Sequence, residues 1–181
     1  KLAGRDLADE ISRYGPGTPR QVADLARQAA AALAAAHAAG VVHRDVKPAN
    51  LFLVPEGSGF RVKVLDFGLA KSMAWEKGLT QSGMVVGTPE YMSPEQVRGE
   101  DVDARTDVYS LGAVCYEALV GRRAISGEDI GRIMVNVIDA VPEPVSEFLP
   151  GVPQAAVAAL EAALAKEFLA RPTDVTAWAA P

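Results

Sequence analysis

Two short β-prone runs, Leu51 to Val54 and Arg61 to Leu65, stand either side of a loose turn at Glu56-Gly57-Ser58-Gly59, and they limit how the 181-residue chain can fold. Paired as an antiparallel hairpin, they set Asn50, at the start of one run, beside Asp66, just past the end of the other. Two oxygen-bearing side chains so placed can share a metal ion. Polar motifs border the hairpin on both sides: His43-Arg44-Asp45-Val46-Lys47-Pro48-Ala49-Asn50 before it and Asp66-Phe67-Gly68 after it.

Most of the remaining chain reads as helix. Arg5 to Arg13 is a short helix candidate that breaks at Gly15-Pro16-Gly17. Thr18 then caps a new helix, with Pro19 in the first turn and Gln21 at the capping-box position, running to a stop at Gly40. Val22, Leu25, Ala29, Leu33 and Ala36 recur at helical spacing, so the alanine-rich stretch is a core helix and not a low-complexity tract. His37 on it is expected to be a surface or packing histidine. Val41 and Val42 are expected to form a short strand. Thr106 to Leu119 is apolar on most sides, which predicts a buried central helix ending at Gly121. Ser126 with Asp129 predicts a capping box opening a helix to about Ala140, stopped by Pro142 and Pro144. Two more helices are expected, near Pro153 to Lys166 and from Thr173 to the end.

Asp45 is an acid suited to accept or orient a hydroxyl proton, and Lys47, two residues on, can direct an ammonium toward an anionic group. Asn50 and Asp66 supply hard oxygen ligands of the kind magnesium prefers. Two later motifs follow in order, Gly87-Thr88-Pro89-Glu90-Tyr91-Met92-Ser93-Pro94-Glu95-Gln96 and Asp107-Val108-Tyr109-Ser110-Leu111-Gly112. Together these four motifs resemble those of the Hanks-type serine/threonine protein kinases, especially the bacterial branch, along essentially the whole chain.

The resemblance implies a fold that is mainly α with small β-hairpins, like the C-terminal lobe of a kinase, over residues 1–181, with an activation segment at about 66–95. It implies ATP and Mg2+ as cofactors, with Lys47, Asn50, Phe52 and Asp66 binding the nucleotide, Phe52 packing under the adenine, and Asn50 and Asp66 on the metal. Catalysis would fall to Asp45, Lys47, Asn50 and Thr88, with Asp45, Lys47 and Thr88 sharing a hydrogen-bond network around the acceptor hydroxyl. His43 becomes a packing anchor, and Phe67 and Gly68 are structural parts of their motif. Glu95 would pair with Arg171, and Asp107 would brace the backbone of the catalytic loop. Arg44 matches an arginine that receives an activating phosphate, for which Thr80 and Ser82 are the candidates on the polar stretch from Leu69 to Val86. Ala124-Ile125 and Phe168 depart from the family pattern at packing positions, where Pro-Phe and proline are usual.

A net charge of −5 argues against a nucleic-acid partner. With no membrane segment in this chain and no signal-peptide pattern, a cytoplasmic location is expected. The single cysteine, Cys115, reads as a small buried hydrophobe. No Gly-x-Gly-x-x-Gly loop precedes the motifs, so the N-terminal β-rich lobe of the family is absent from this sequence. The expected partners are therefore that lobe and protein substrates. The alternative is a non-catalytic, kinase-like interaction module.

Overall fold

The computed structural model describes residues 3–67 and 88–180. The expectations on Gly68, Thr80, Ser82 and the segment from Leu69 to Val86 lie outside the described residues.

The chain opens with a two-residue strand, β1 (Arg5–Asp6), followed by helix α1 (Leu7–Tyr14). Arg5 and Asp6 therefore do not begin the helix. Their backbone pairs antiparallel with the hairpin, Arg5 opposite Leu53 and Asp6 opposite Phe52. Asp6 in its extended conformation then caps α1 by accepting from Asp9 N at 2.8 Å. Helix α2 (Pro19–Ala38) carries the capping box read from Thr18 and Gln21, and buries Val22, Leu25, Ala26, Ala29, Ala30 and Leu33. Its end explains why Val41 and Val42 form no strand. Gly40 adopts φ 76°, and the Val41 amide turns back to donate to Ala36 O at 2.9 Å, closing the helix.

The hairpin is β2 (Leu51–Glu56) and β3 (Gly59–Val64), joined by Gly57 and Ser58, a tighter turn than the sequence predicts. Leu65 lies beyond the strand, but its amide donates to Asn50 O at 2.8 Å and carries the ladder one step further. With β1, the sheet has the order β1-β2-β3. The outer edge of β3 meets α2 through one side chain: Gln28 donates to Phe60 O and accepts from Val62 N. That contact covers an edge that would otherwise be open.

A 3-10 turn at Pro89–Tyr91 leads to α3 (Pro94–Arg98), capped by Ser93 and Gln96, and then to α4 (Ala104–Val120), buried on all sides from Thr106 to Tyr116 and ended by Gly121 at φ 73°. The next helix, α5 (Ile130–Asp139), is capped by Asp129 alone, which accepts from Arg132 N. Ser126 does not cap it. Gly127 lies against the first turn of α5, where a Cβ would stand 2.8 Å from Ile133 N, and Ser126 instead offers its carbonyl to Asn136. Ile125 joins Ile133 and Val137 in a small satellite core, which accommodates its departure from the family residue. After the prolines come a short α6 (Val145–Phe148), α7 (Gln154–Ala163), which stops before Lys166, a 3-10 turn at Phe168–Ala170, and α8 (Val175–Trp178) capped by Asp174. Phe168 lies beneath the Arg105 guanidinium at 3.9 Å. Among the described residues no helix is long and apolar enough to cross a membrane.

Glu95 and Arg171 meet inside this framework, 2.8 Å apart and almost wholly buried. Glu95 Oε1 also accepts from Thr106 Oγ1 at 2.7 Å, and Arg171 donates to the carbonyls of Ala165 and Lys166. Burial opposes ionisation of Glu95. The hydrogen bonds from Arg171, Ser93 and Thr106 outweigh it and hold the carboxyl below its ordinary value of 4.5.

Two stability predictions follow from these contacts. A Cβ on Gly112 would stand 2.7 Å from the Ala163 side chain, where α4 crosses α7. Gly112→Ala should therefore destabilise by about 1–3 kcal/mol in denaturant titration, against the direction of helix propensity. Arg171→Ala should cost about 3–5 kcal/mol, because it leaves the Glu95 charge buried and unpaired. Since the folded carboxyl lies below the unfolded one, the stability from Glu95 is present above pH 4.5 and is lost as the pH falls through the depressed value. The stability gap between wild type and Glu95→Gln should thus close with acidification below pH 4.5, and a gap that widened there would contradict the assignment.

Candidate active site

The loop from Val41 to Lys47 links the end of α2 to a 3-10 turn at Pro48–Asn50, and the hairpin follows directly. Its shape is set from beneath by the fully buried Asp107 in the first turn of α4. Asp107 Oδ2 accepts from His43 N at 2.8 Å, and Oδ1 accepts from Arg44 N at 2.9 Å. His37 Nε2 lies 2.7 Å from the same Oδ2, and because a carboxylate only accepts, that nitrogen carries the hydrogen. Reading the sequence assigned His37 no such part; only the fold brings it to Asp107. Arg44 is held at φ 64°, a conformation L-residues avoid, with its amide on Asp107 and its carbonyl accepting from Gln96 Nε2 at 2.8 Å. Gln96 is a second residue that sequence reasoning gave no part in the loop.

His43 is fully buried and joins the two halves of the site. Its Nδ1 accepts from Asp45 N at 3.2 Å, so Nε2 is the nitrogen that donates to Leu65 O at 2.9 Å. Its ring lies 4.6 Å from that of Phe67, tilted by 46°. One imidazole thus fixes the loop that bears Asp45 against the strand end that bears Asp66.

Asp45, Lys47 and Asn50 come together. Lys47 Nζ donates to Asp45 Oδ2 at 2.9 Å, and Asn50 Nδ2 donates to Asp45 O at 2.8 Å and to Asp45 Oδ2 at 3.1 Å. These bonds settle the amide of Asn50, because an oxygen in place of Nδ2 would face two acceptors. Among the described residues its Oδ1 accepts no hydrogen bond, on a side chain that is otherwise buried. Asp66 is exposed at φ 51°, one residue beyond Leu65, whose amide bonds Asn50 O. Thr88 opens the Pro89–Tyr91 turn through its carbonyl, and among the described residues its hydroxyl makes no hydrogen bond to Asp45 or Lys47. The expected contact of Thr88 with Asp45 and Lys47 is thus not among the hydrogen bonds of the described residues, where Asp45 Oδ2 accepts from Lys47 and Asn50. Phe52 is half-buried on β2, opposite Lys63.

Lys166, also given no role by the sequence, donates to Val137 O and Tyr109 OH beside Arg171. Burial, reinforced by the charge of Arg171, pushes its ammonium down to about 8. Cys115 is buried within α4, and burial pushes its thiol up to about 12, well away from reactivity.

The chain matches the protein kinase domain family over residues 2–179. It is 37% identical over 175 residues to a probable serine/threonine-protein kinase of Corynebacterium efficiens, covering 96% of this chain and 26% of that protein. It is 40% identical to the serine/threonine-protein kinase PknB of Mycobacterium leprae, over 90% of this chain and 26% of that protein. With PknA of Mycobacterium tuberculosis it shares 42% identity, over 81% of this chain and 33% of the relative. The chain thus spans about a quarter to a third of the length of these curated relatives. Its fold is that of the kinase domain of Mycobacterium tuberculosis PknI, with a TM-score of 0.74 at 24% identity over 99% of this chain and 60% of that one. The helical frame, the hairpin between the two motifs and the family match agree: this chain belongs to the protein kinase domain family, among its Hanks-type bacterial serine/threonine members.

Proposed function

We propose that this chain is the catalytic and substrate-binding lobe of an ATP-dependent serine/threonine protein kinase, with Asp45, Lys47, Asn50 and Asp66 as its working set. The contact that carries this reading is the double clamp on Asp45 Oδ2, from Lys47 at 2.9 Å and Asn50 at 3.1 Å. An acid held in this way is positioned to take the proton of a serine or threonine hydroxyl as that oxygen bonds the γ-phosphorus of ATP and the bond from that phosphorus to the ADP oxygen breaks. Lys47, already beside the acid, offsets charge on the phosphoryl oxygens. Asn50 Oδ1 and the Asp66 carboxylate suit magnesium, which takes one or two carboxylates together with waters and phosphate oxygens, and which supplies charge neutralisation when bound. Phe52 would lie under the adenine. Thr88, two residues before Glu90, belongs to the segment that shapes the peptide site.

In the same reading, Arg44 is a receiver for phosphate on Thr80 or Ser82, since among the described residues it makes no ion pair. The remaining phosphate contacts would come from a second, glycine-loop-bearing lobe, for which this sequence carries no motif.

Two measurements test the assignment. In the kinase containing this chain, Asp45→Asn and Asp66→Asn should each lower kcat by on the order of 10²–10⁴ while circular dichroism and the melting curve stay close to wild type. Near-normal turnover in either would remove that residue from the mechanism. The 181-residue chain alone, with magnesium and labelled ATP, should transfer no more phosphate to a generic protein acceptor than its Asp45→Asn variant. Asp45-dependent transfer by the chain alone would overturn the need for a second lobe.

A further inference from the structure

The turn that follows α7 holds an amine that the site above does not use. Lys166 is half-buried, and its Nζ lies 2.8 Å from Val137 O, near the end of α5, and 3.2 Å from the Tyr109 hydroxyl of α4. A second cation shares the same ring: Lys166 Nζ stands 5.4 Å and the Arg171 guanidinium 4.8 Å from the centroid of Tyr109. The buried acid of this cluster, Glu95, is already taken by Arg171 at 2.8 Å. Asp139, at the end of α5, is exposed, and so are Glu143 and Glu161. Two cations therefore share one aromatic ring and one buried carboxylate.

This arrangement works against the ammonium form. An ammonium has three N–H donors, whereas Lys166 meets two acceptors among the described residues, which match the two N–H groups of a neutral amine and leave its lone pair unused. Burial first, and then the charge of Arg171, lower the amine to about 8, with Asp139 acting in the opposite sense. At about pH 7.5 the neutral fraction is therefore about two hundredfold larger than for a lysine at the ordinary 10.5. A desolvated lysine in this state is a nucleophile.

Its surroundings select the electrophile. Lys166 lines a cavity of about 360 Å³ whose walls are mostly apolar, with Val141, Pro142, Val145, Leu160 and Leu164 among them. A small uncharged reagent loses little hydration on entering such a space. The favoured product is an anion, because negative charge at Nζ turns the repulsion from Arg171 into attraction. Tyr109 also has a hydrogen to give: burial raises its phenol above the ordinary value, and among the described residues the hydroxyl donates to no acceptor. Carbon dioxide meets both conditions.

We propose that Lys166 takes up carbon dioxide as a carbamate, held by the charge of Arg171 and by a hydrogen bond from the Tyr109 hydroxyl. The Nζ lone pair bonds the carbon of CO2, one C–O π pair moves onto oxygen, and one Nζ proton leaves to solvent, with no oxidant or reductant involved. The N–H that remains keeps Val137 O, so α5 stays tied to the turn after α7. Dissolved carbon dioxide is thereby converted into a change from cation to anion beside Arg171. The site stands independently of the kinase reading.

In the test, the full-length protein containing this chain is equilibrated with 13C-labelled carbon dioxide and bicarbonate, its carbamates are fixed as ethyl esters with triethyloxonium, and its peptides are read by mass spectrometry. Lys166 should be labelled at least about tenfold more than the exposed Lys63, with occupancy rising through about pH 8 at constant dissolved carbon dioxide. In concentrated urea the two lysines should become alike. Tyr109→Phe should lower the occupancy of Lys166 about threefold to tenfold, the worth of one hydrogen bond. Lys166→Arg should remove one carbamate resonance from the 13C spectrum of the native protein. Labelling of Lys166 no higher than that of Lys63, a spectrum that keeps every resonance in Lys166→Arg, or a Tyr109→Phe protein labelled as fully as wild type would each overturn the proposal. Should Tyr109→Phe not fold, the comparison of Lys166 with Lys63 in the wild-type protein decides alone.

Discussion

The buried carboxylate of Asp107 is the contact on which the rest of the site depends. It is fully shielded from water, and its two oxygens are taken by the amides of His43 and Arg44 and by His37 Nε2. Its place in the first turn of α4 puts it at the positive end of the helix dipole. Removing the carboxylate would strand two backbone donors in the core. The left-handed backbone at Arg44, which costs on the order of 1–3 kcal/mol, persists because Asp107 holds that residue's amide and Gln96 its carbonyl. The direction of the Asp45 side chain is thus set from the core of the molecule, through the backbone.

The same logic runs upward through His43. An imidazole with both ring nitrogens engaged has one orientation, and here it ties Asp45 N to Leu65 O while packing at a tilt against Phe67. Asn50 closes the circuit, since its amide serves Asp45 and its carbonyl receives the Leu65 amide. The carboxylate of Asp45 and the oxygens of Asn50 and Asp66 are thereby held in one frame, which under the proposed roles is the condition for effective electrostatic catalysis.

Much of this was legible in the sequence because it rests on local rules. Thr18-Pro19 with Gln21, Gly40, and Gly121 announce helix ends through capping chemistry, and the hairpin follows from two β-prone runs and a glycine turn. The motifs that flank the hairpin name Asp45, Lys47, Asn50 and Asp66 as the candidates, and the fold brings Asp45, Lys47 and Asn50 together. What escaped depends on chain segments that are distant in sequence. Arg5 and Asp6 have helix-compatible chemistry and become a strand only because β2 offers an edge. Val41 has a strong β preference, yet its amide is claimed by Ala36 O. His37, Gln96 and Lys166 carry no local signal at all; each matters because of a carboxylate or carbonyl that folding brings to it.

The buried polar contacts are concentrated where loops must hold a single shape, whereas α2 and the interior of α4 are packed with alanine and apolar side chains. A buried ion pair such as Glu95 with Arg171 adds little net stability over an apolar replacement, but it admits few geometries. Arg171 also donates to the carbonyls of Ala165 and Lys166, so one side chain fixes the turn after α7 and the start of α3 together. Apolar packing alone could not do this, because a hydrophobic contact tolerates sliding and rotation whereas a donor with a defined direction does not. Glu90 and Glu95 each keep one buried oxygen without a hydrogen bond among the described residues, and what separates the pair of Glu90 with Arg123 from that of Glu95 with Arg171 is the cation: Arg171 is wholly buried, whereas Arg123 stands half in solvent.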